Sequence, residues 1–295
     1  WLENLQKVAA ALDYCHALEI THKDVSPGNI ILGNEGPKLI DFGISYRLGD
    51  PRVTQVELAV GTPAYMSPDH WLPTVSTSMD LFSLGSTFVF AGTGAIIIND
   101  IANAIGHVGI ALTFGFVIVA LIYSFAHVSG AHFNPAVTVA FWSMGEFERK
   151  NVIPYISAQI LGGVLASLAL YLLLRENFVL VSDVSYLGAT LPSGSASQSF
   201  GFEFILTFIL MIVICSSAVH GKATKDFAGL AIGLTVGLES MFAGPITGAS
   251  MNPARSIAPA LVSGNFEHLW LYIVATILGA VCAALVFMKV FKSDS

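Results

Sequence analysis

The chain has 295 residues, a formal net charge of −7 and only 11 % charged residues, and its mean hydropathy is +0.72. A composition this apolar is typical of a membrane protein rather than a soluble domain, and the acidic balance argues against nucleic-acid binding. The three cysteines, Cys15, Cys215 and Cys282, are too far apart to indicate a disulfide framework or a zinc site. Fifteen charged residues lie among residues 1–80 and eighteen among residues 81–295, so a polar segment precedes an apolar one.

The polar segment begins with a helical pattern and continues into short strands. Apolar residues recur at helical spacing over residues 2–18, which predicts an amphipathic helix. Two β-like runs at 30–32 and 38–40 flank a turn at 34–36, which predicts a hairpin.

Three short motifs in this segment resemble those of protein kinases. His22-Lys23-Asp24, then Asn29, then Asp41-Phe42-Gly43, follow the order of a kinase catalytic loop and metal-binding loop. Residues 61–69 are similar to the end of a kinase activation segment. The resemblance implies an incomplete kinase C-lobe, an α+β fold, over residues 1–83, with Asp24 as base and Asn29 and Asp41 as magnesium ligands.

We nevertheless expect this kinase-like segment to be inert. Ser26 stands where many kinases place a phosphate-contacting Lys, and the sequence before it holds no Gly-rich loop and no strand Lys with a Glu partner. About 80 residues of half a lobe would bury too little apolar surface to be reliably stable. We therefore expect no active catalytic residue, no cofactor and no bound metal.

From residue 81 onward the sequence predicts six membrane-spanning helices. Each segment is an apolar stretch with the length of a span, and together they cover residues 81–98, 108–126, 152–174, 199–219, 227–243 and 268–288. Two further apolar pieces, 135–143 and 253–262, are too short to cross a bilayer. Each follows an Asn-Pro pair, which suits an Asn N-cap with Pro at the first helical position, so they are predicted to be buried half-helices that re-enter the membrane.

The same local frame precedes both half-helices. Residues 129–136 (SGAHFNPA) are echoed by residues 247–254 (TGASMNPA), and the second copy continues into Arg255. A duplicated, Pro-broken segment in corresponding halves of a membrane domain indicates a binding or permeation site near the bilayer midplane.

These residues resemble the aquaporin family, the major intrinsic proteins, over residues 84–291, with 292–295 as a tail. The resemblance implies an all-α inverted repeat of six transmembrane helices and two re-entrant half-helices, preceded by the incomplete kinase C-lobe. It also implies passive transport of water and small neutral solutes across the lipid bilayer, and a homotetramer with one pore per subunit. The pore motifs are Asn134, Pro135, Ala136, Asn252, Pro253 and Ala254.

Counting from these motifs places the residues of the narrowest ring. The resemblance assigns them to Phe114, Ser240, Ala249 and Arg255. Dedicated water channels of the family usually have His where Ser240 stands. Small Ser and Ala side chains favour a wider pore that also passes glycerol, urea or ammonia, unless neighbouring bulk such as Met241 or Phe242 refills the gap.

Other residues in the apolar region carry separate expectations. The resemblance implies that Glu203 accepts hydrogen bonds from a re-entrant loop, while Leu81 stands where the first span normally has the equivalent Glu. We expect Glu239 to reach the membrane interface near the outer mouth of the pore. We expect His132 to line the inner vestibule. Small residues at 92–94 predict close helix packing rather than a nucleotide loop.

The positive residues predict the orientation in the membrane. Arg149 and Lys150 follow span two, Lys222 and Lys225 follow span four, and Lys289 and Lys292 follow span six. These loops share one side, so the N-terminal segment and the C-terminus of this multi-pass cell-membrane protein are expected in the cytoplasm.

The alternative function class is a membrane-tethered Ser/Thr protein kinase. The kinase-like segment could also be joined gene fragments, a decayed natural fusion, or part of a regulated channel. Binding of ATP by the chain would favour the enzyme, and osmotic swelling without ATP would favour the channel.

Overall fold

The computed structural model describes residues 20–21, 30–33, 36–39, 46–47 and 76–290. Within the last range, side chains are described from residue 86 onward, except at positions 127 and 128. The chain divides into two compact units, Trp1–Ser76 and Thr77–Ser295.

Several predictions fall outside the described residues. These are the helix over 2–18, the kinase-like residues Asp24, Asn29 and Asp41, and the tail at 292–295. The side chain of Leu81 is also outside them, although its backbone lies in a described helix.

The described part of the first unit consists of short strands. They are β1 Ile20–Thr21, β2 Ile30–Gly33, β3 Gly36–Leu39 and β4 Tyr46–Arg47. Strand β2 pairs with β3 in antiparallel register, with Ile30 opposite Leu39, which is the predicted hairpin. Strand β1 pairs with β4, also antiparallel.

Residues 76–290, which lie in the second unit except for Ser76, include six long helices and two short apolar ones. The long helices are α1 Ser76–Ala102, α2 Gly106–Ser129, α4 Arg149–Leu174, α5 Ala196–Ile214, α6 Ala228–Thr247 and α8 Leu269–Val290. The short helices are α3 Pro135–Ser143 and α7 Pro253–Ser263. With 9 and 11 residues, the two short helices span about 14 and 16 Å, so each crosses about half of a 30 Å bilayer core.

Five of the long helices, α2, α4, α5, α6 and α8, have the length and hydropathy of membrane spans. In α1 the apolar part with described side chains is the shorter stretch Ser86–Ala102. Large apolar side chains are exposed around the outside of the bundle, among them Phe116, Ile153, Leu173 and Leu238, as expected of a surface that faces lipid. The predicted all-α transmembrane architecture with two half-helices is confirmed.

The two halves of the bundle interlock through their half-helices. Helix α3 of the first half packs against α8 of the second, and α7 of the second half packs against α4 of the first. The halves also meet along α2 and α6, where a Cβ added at Gly115 would lie 2.8 Å from the carbonyl oxygen of Gly233. Because any larger side chain would separate these backbones, glycine is required for the crossing.

The largest buried apolar cluster takes side chains from all eight helices. Its members include Phe88, Phe114, Ala136, Ala166, Leu206, Ile232, Ala258 and Phe287. The core therefore lies along the axis shared by both repeats and holds the two half-helices in place.

Candidate functional site

Each half-helix starts at the Asn of its Asn-Pro-Ala triplet. Asn134 has extended backbone angles, and its Oδ1 accepts a hydrogen bond of 2.9 Å from the amide of Ala136. Asn252 caps α7 in the same way, with Oδ1 3.0 Å from the amide of Ala254. The following proline lacks an N–H and has its φ preset for a helix, so the triplet specifies the helix start locally.

The two loops are also cross-linked by the same asparagines. Nδ2 of Asn134 donates to the carbonyl of Met251 at 2.6 Å, and Nδ2 of Asn252 donates to the carbonyl of Phe133 at 2.8 Å. These reciprocal bonds bring the N-termini of α3 and α7 together. Because an amide nitrogen carries two hydrogens, each Asn keeps a second N–H for a passing oxygen.

The backbone of both loops adopts left-handed angles at matching positions. Positive φ values occur at Gly130, Ala131 and Phe133 in the first loop, and at Gly248, Ala249 and Met251 in the second. Non-glycine residues rarely adopt this conformation. The sequence repeat showed that the loops correspond but did not predict this backbone conformation.

Glu203 braces the second loop from inside α5, where it is fully buried. Its Oε1 accepts hydrogen bonds from the amide of Ser250 at 2.9 Å and from the hydroxyl of Thr247 at 2.6 Å. Its Oε2 accepts from the amide of Met251 at 2.8 Å. One carboxyl group thus satisfies three donors of a buried loop that has no helical or strand partner for them.

The first loop is braced differently. The amide of His132, which corresponds to that of Ser250, donates to the hydroxyl of Tyr155 at 3.2 Å, and this hydroxyl donates to the carbonyl of Ser129 at 3.0 Å. Among the residues with described side chains, no acceptor lies within hydrogen-bond distance of the amide of Phe133, which corresponds to that of Met251. Sequence reasoning missed Tyr155, since a Tyr on an apolar helix gives no motif.

Arg255 is fixed by a carbonyl from a distant loop. The side chain is only 1 % exposed, and its Nη1 donates to the carbonyl of Gly188 at 2.7 Å. Residues 185–188 form a left-handed turn, with φ between 49° and 72°, that aims this carbonyl inward. The hydroxyl of Thr190, just after the turn, donates to Ser256 at 2.7 Å, so the same loop also contacts the start of α7.

Two cavities inside the bundle are lined by the predicted site residues, and we name each cavity by its polar residues. The asparagine cavity, of about 110 Å³, contains both triplet asparagines and is otherwise mostly apolar; its lining includes Asn134, Asn252, Phe88, Ile118, His132 and Val236. The arginine cavity, of about 460 Å³, is lined by residues that include Arg255, Ser240, Phe114, His107 and Tyr186.

Three of the four predicted ring residues meet at the arginine cavity. Phe114, Ser240 and Arg255 line it, and Cζ of Arg255 lies 5.2 Å from the centre of the Phe114 ring. The lining of this cavity includes Gly248 but not Ala249. Ala249 is buried, with its amide bound to the hydroxyl of Thr247 at 3.0 Å.

The positions of Glu239 and His132 can also be compared with the predictions. Glu239 does not reach the membrane interface, so that expectation was wrong: it is 3 % exposed, and neither carboxyl oxygen has a partner among the described residues. Helix α6 turns its Glu239 face into the bundle, whereas the adjacent Ser240 lines the arginine cavity. His132 lines the asparagine cavity, and its place in the inner vestibule stays a prediction. Within the described part of the chain, no three His, Cys, Asp or Glu residues are grouped as a metal site requires.

Two family profiles match this chain. The Major intrinsic protein profile matches residues 82–287, which covers all eight helices of the bundle except short pieces of α1 and α8. The Protein kinase domain profile matches residues 3–113, so residues 82–113 lie in both matches and form parts of α1 and α2.

The chain also resembles individual proteins. Nodulin-26 from Glycine max is 44 % identical over 214 residues, which are 72 % of this chain and 77 % of that protein. Aquaporin NIP1-2 from Arabidopsis thaliana is 47 % identical over 219 residues, 72 % of this chain and 73 % of that protein. The X-ray structure of the aquaglyceroporin from Plasmodium falciparum matches with a TM-score of 0.63 and 26 % identity, covering 73 % of this chain and 96 % of that one.

The profile match covers more than half of the chain, and the two relatives above share 44 % and 47 % of the aligned residues with it. The chain belongs to the major intrinsic protein family.

Proposed function

We propose that this chain is a membrane channel for water and small neutral solutes. The observation that carries the proposal is the meeting of the α3 and α7 N-termini, cross-linked by Asn134 and Asn252. The asparagine cavity includes both of these residues in its lining. An oxygen entering this cavity finds two amide donors on an otherwise apolar wall, which suits single-file passage of neutral hydroxylated molecules.

Cations and protons are repelled by two sources of positive potential. A helix N-terminus carries about half a positive charge, and two of them meet at the asparagines. The guanidinium of Arg255 adds a full charge and further donors at the arginine cavity. An Arg and the positive ends of half-helices form an electrostatic barrier to protons and cations in pores of this kind.

The filter fits solutes larger than water. Ser240 is small and lines the arginine cavity, where a His would supply bulk, and Ala249 stays close to its own loop. Glycerol, urea and ammonia are the solutes we propose besides water. The similarity to an aquaglyceroporin supports this choice.

We further propose the domain limits and the membrane placement. Residues 84–291 form the channel, residues 1–83 the kinase-like segment and residues 292–295 the tail. Charge asymmetry of the loops supports a cell-membrane protein with its N-terminal segment and C-terminus in the cytoplasm. Family membership supports a homotetramer with one pore in each subunit.

The profile match to a protein kinase domain makes phosphotransfer the second candidate function. We propose that Asp24, Asn29 and Asp41 do not catalyse it in this chain. The kinase match continues through residues 82–113, which here belong to helices of the channel. Residues that would pack a kinase C-lobe therefore pack the pore instead.

Osmotic shrinkage of vesicles tests the channel. The full chain, reconstituted in proteoliposomes, should speed shrinkage in sucrose gradients above that of empty vesicles, without added ATP and without ion conductance. Folded protein that leaves the shrinkage rate unchanged would refute the channel. Phosphorylation of a generic substrate that is lost in Asp41→Asn would instead establish the enzyme.

Substitution at the ring tests the proposed solutes. Ser240→His should lower glycerol flux much more than water flux, because the larger ring narrows the arginine cavity where Ser240 lines it. Ala243→Ser, on the same helix but in the buried core, is the matched control and should leave the flux ratio unchanged. Equal losses of both fluxes in Ser240→His, or no glycerol flux in the parent, would contradict the ring assignment.

A further inference from the structure

The ring of Phe114 rests directly on the backbone of Gly92 in α1. A Cβ added at Gly92 would lie 2.6 Å from both Cδ1 and Cζ of this ring, and closer still to Cε1. Cβ atoms essentially never approach another atom within 3.0 Å. The aromatic side of the filter therefore occupies space that is open only because residue 92 has no side chain.

Neighbouring side chains limit where the ring could move. Phe88, one turn before Gly92, packs edge-on against Phe114, with ring centres 5.7 Å apart and an interplanar angle of 68°. Ile96, one turn after Gly92, and Ile110, one turn before Phe114, line the arginine cavity beside the ring. The ring is thus held in a notch of α1 whose floor is Gly92, and Cζ of Arg255 lies over the same ring, 5.2 Å from its centre.

We propose that Gly92, which does not itself line the arginine cavity, determines solute specificity by setting how far the Phe114 ring projects into the filter. A methyl group at this position must push the ring by about 1.5 Å to restore ordinary carbon–carbon contact. That displacement carries the ring toward Arg255 and narrows the space between them. Wide solutes lose passage first, because Ser240, which lines the same cavity, is small and leaves Phe114 as the bulky apolar member.

This inference rests on the proposed function, and Gly92→Ala tests it in proteoliposomes of the full chain. The ratio of glycerol to water permeability should fall by about tenfold, a barrier difference of about 1.4 kcal/mol. Adding Phe114→Leu to Gly92→Ala should restore the ratio, because the smaller side chain leaves the notch. Gly94→Ala is the matched control, since its Cβ would lie 3.2 Å from the flexible end of Leu170 and away from the filter; its ratio should equal that of the parent.

Thermal unfolding in detergent gives a readout that does not depend on permeation. Gly92→Ala should lower the melting temperature, and Phe114→Leu should remove most of that loss in the double variant, because the methyl group and the ring compete for one space. Melting shifts that simply add would overturn the inference whatever the pore passes. An unchanged permeability ratio in folded Gly92→Ala would overturn it as well, whereas a parent that moves no water would refute the proposed function.

Discussion

Replacing Glu203 tests whether one buried carboxyl group holds the second re-entrant loop. Its two oxygens accept three hydrogen bonds, two of them from the amides of Ser250 and Met251 and one from Thr247. In Glu203→Gln one acceptor oxygen is replaced by an amide NH₂ group, which is a donor. At least one of the three buried donors therefore loses its acceptor. Leaving such a donor unsatisfied costs about 1–3 kcal/mol.

The expected loss is large enough to measure by melting in detergent. At about 2–4 °C per kcal/mol for a bundle of this size, Glu203→Gln should lower the melting temperature of the solubilised full chain by about 2–12 °C. Glu203→Leu removes all three acceptor contacts and should lower it roughly three times as far, by the same cost per donor. Water flux should fall in proportion to the folded fraction. The protein that stays folded should also pass less water, because the displaced loop carries Asn252.

Glu239→Gln is the matched control. Glu239 is a second buried acid in the same bundle, but neither of its oxygens has a hydrogen-bond partner among the described residues. Its replacement by an amide of nearly the same size removes no observed bond and should leave the melting temperature unchanged. Equal losses in the two Gln variants would show that burial of an acid, and not bracing of the loop, determines stability.

Further predictions concern the first loop and the cross-link. Tyr155→Phe should destabilise the chain by about 1–3 kcal/mol, because the amide of His132 loses its acceptor; chemical unfolding measures this, and a neutral effect would show that water replaces the hydroxyl. Leu81 stands where the resemblance implies a Glu that braces a re-entrant loop, so Leu81→Glu should raise the melting temperature, whereas no change would mean that the loop amides are already satisfied. Asn134→Ala removes both the α3 cap and the bond to Met251. It should lower the free energy of unfolding by about 1–2 kcal/mol for the cap alone and should lower water flux. Unaltered flux in vesicles would contradict a pore role for this amide.

The parts of the structure that depend on local sequence were predictable. The Asn-Pro pairs define the starts of α3 and α7 because capping and the missing proline N–H act within one turn. Uninterrupted apolar stretches indicated the long helices, because the length and hydropathy of a membrane span can be read from consecutive residues. The site residues Asn134, Asn252 and Arg255 could be identified because each lies in or beside a duplicated motif.

Contacts between distant residues were not predictable. The carbonyl of Gly188 that holds Arg255 is 67 residues away in sequence, and any residue supplies a carbonyl, so no side chain marks it. Gly92 looked like a packing glycine, but only the bundle shows that it faces an aromatic ring. Glu239 was expected at the interface because hydropathy places an acid near water, whereas the rotation of α6 turns it inward.

The two repeats have similar motifs, but different hydrogen bonds hold their re-entrant loops. Residues that determine stability can therefore differ from residues that determine solute selectivity. In the second loop a carboxyl group accepts the amides of Ser250 and Met251, whereas in the first a hydroxyl accepts the amide of His132. Each accepted hydrogen bond adds a similar stabilisation, and Glu203 accepts two loop amides where Tyr155 accepts one, so the first loop is the more weakly held. The filter residues that line the arginine cavity, however, come from α2, α6 and α7. Leu81→Glu should therefore change stability while solute preference stays the same, whereas a change at Gly92 on the same helix should alter preference, because Gly92 lies directly against the Phe114 ring.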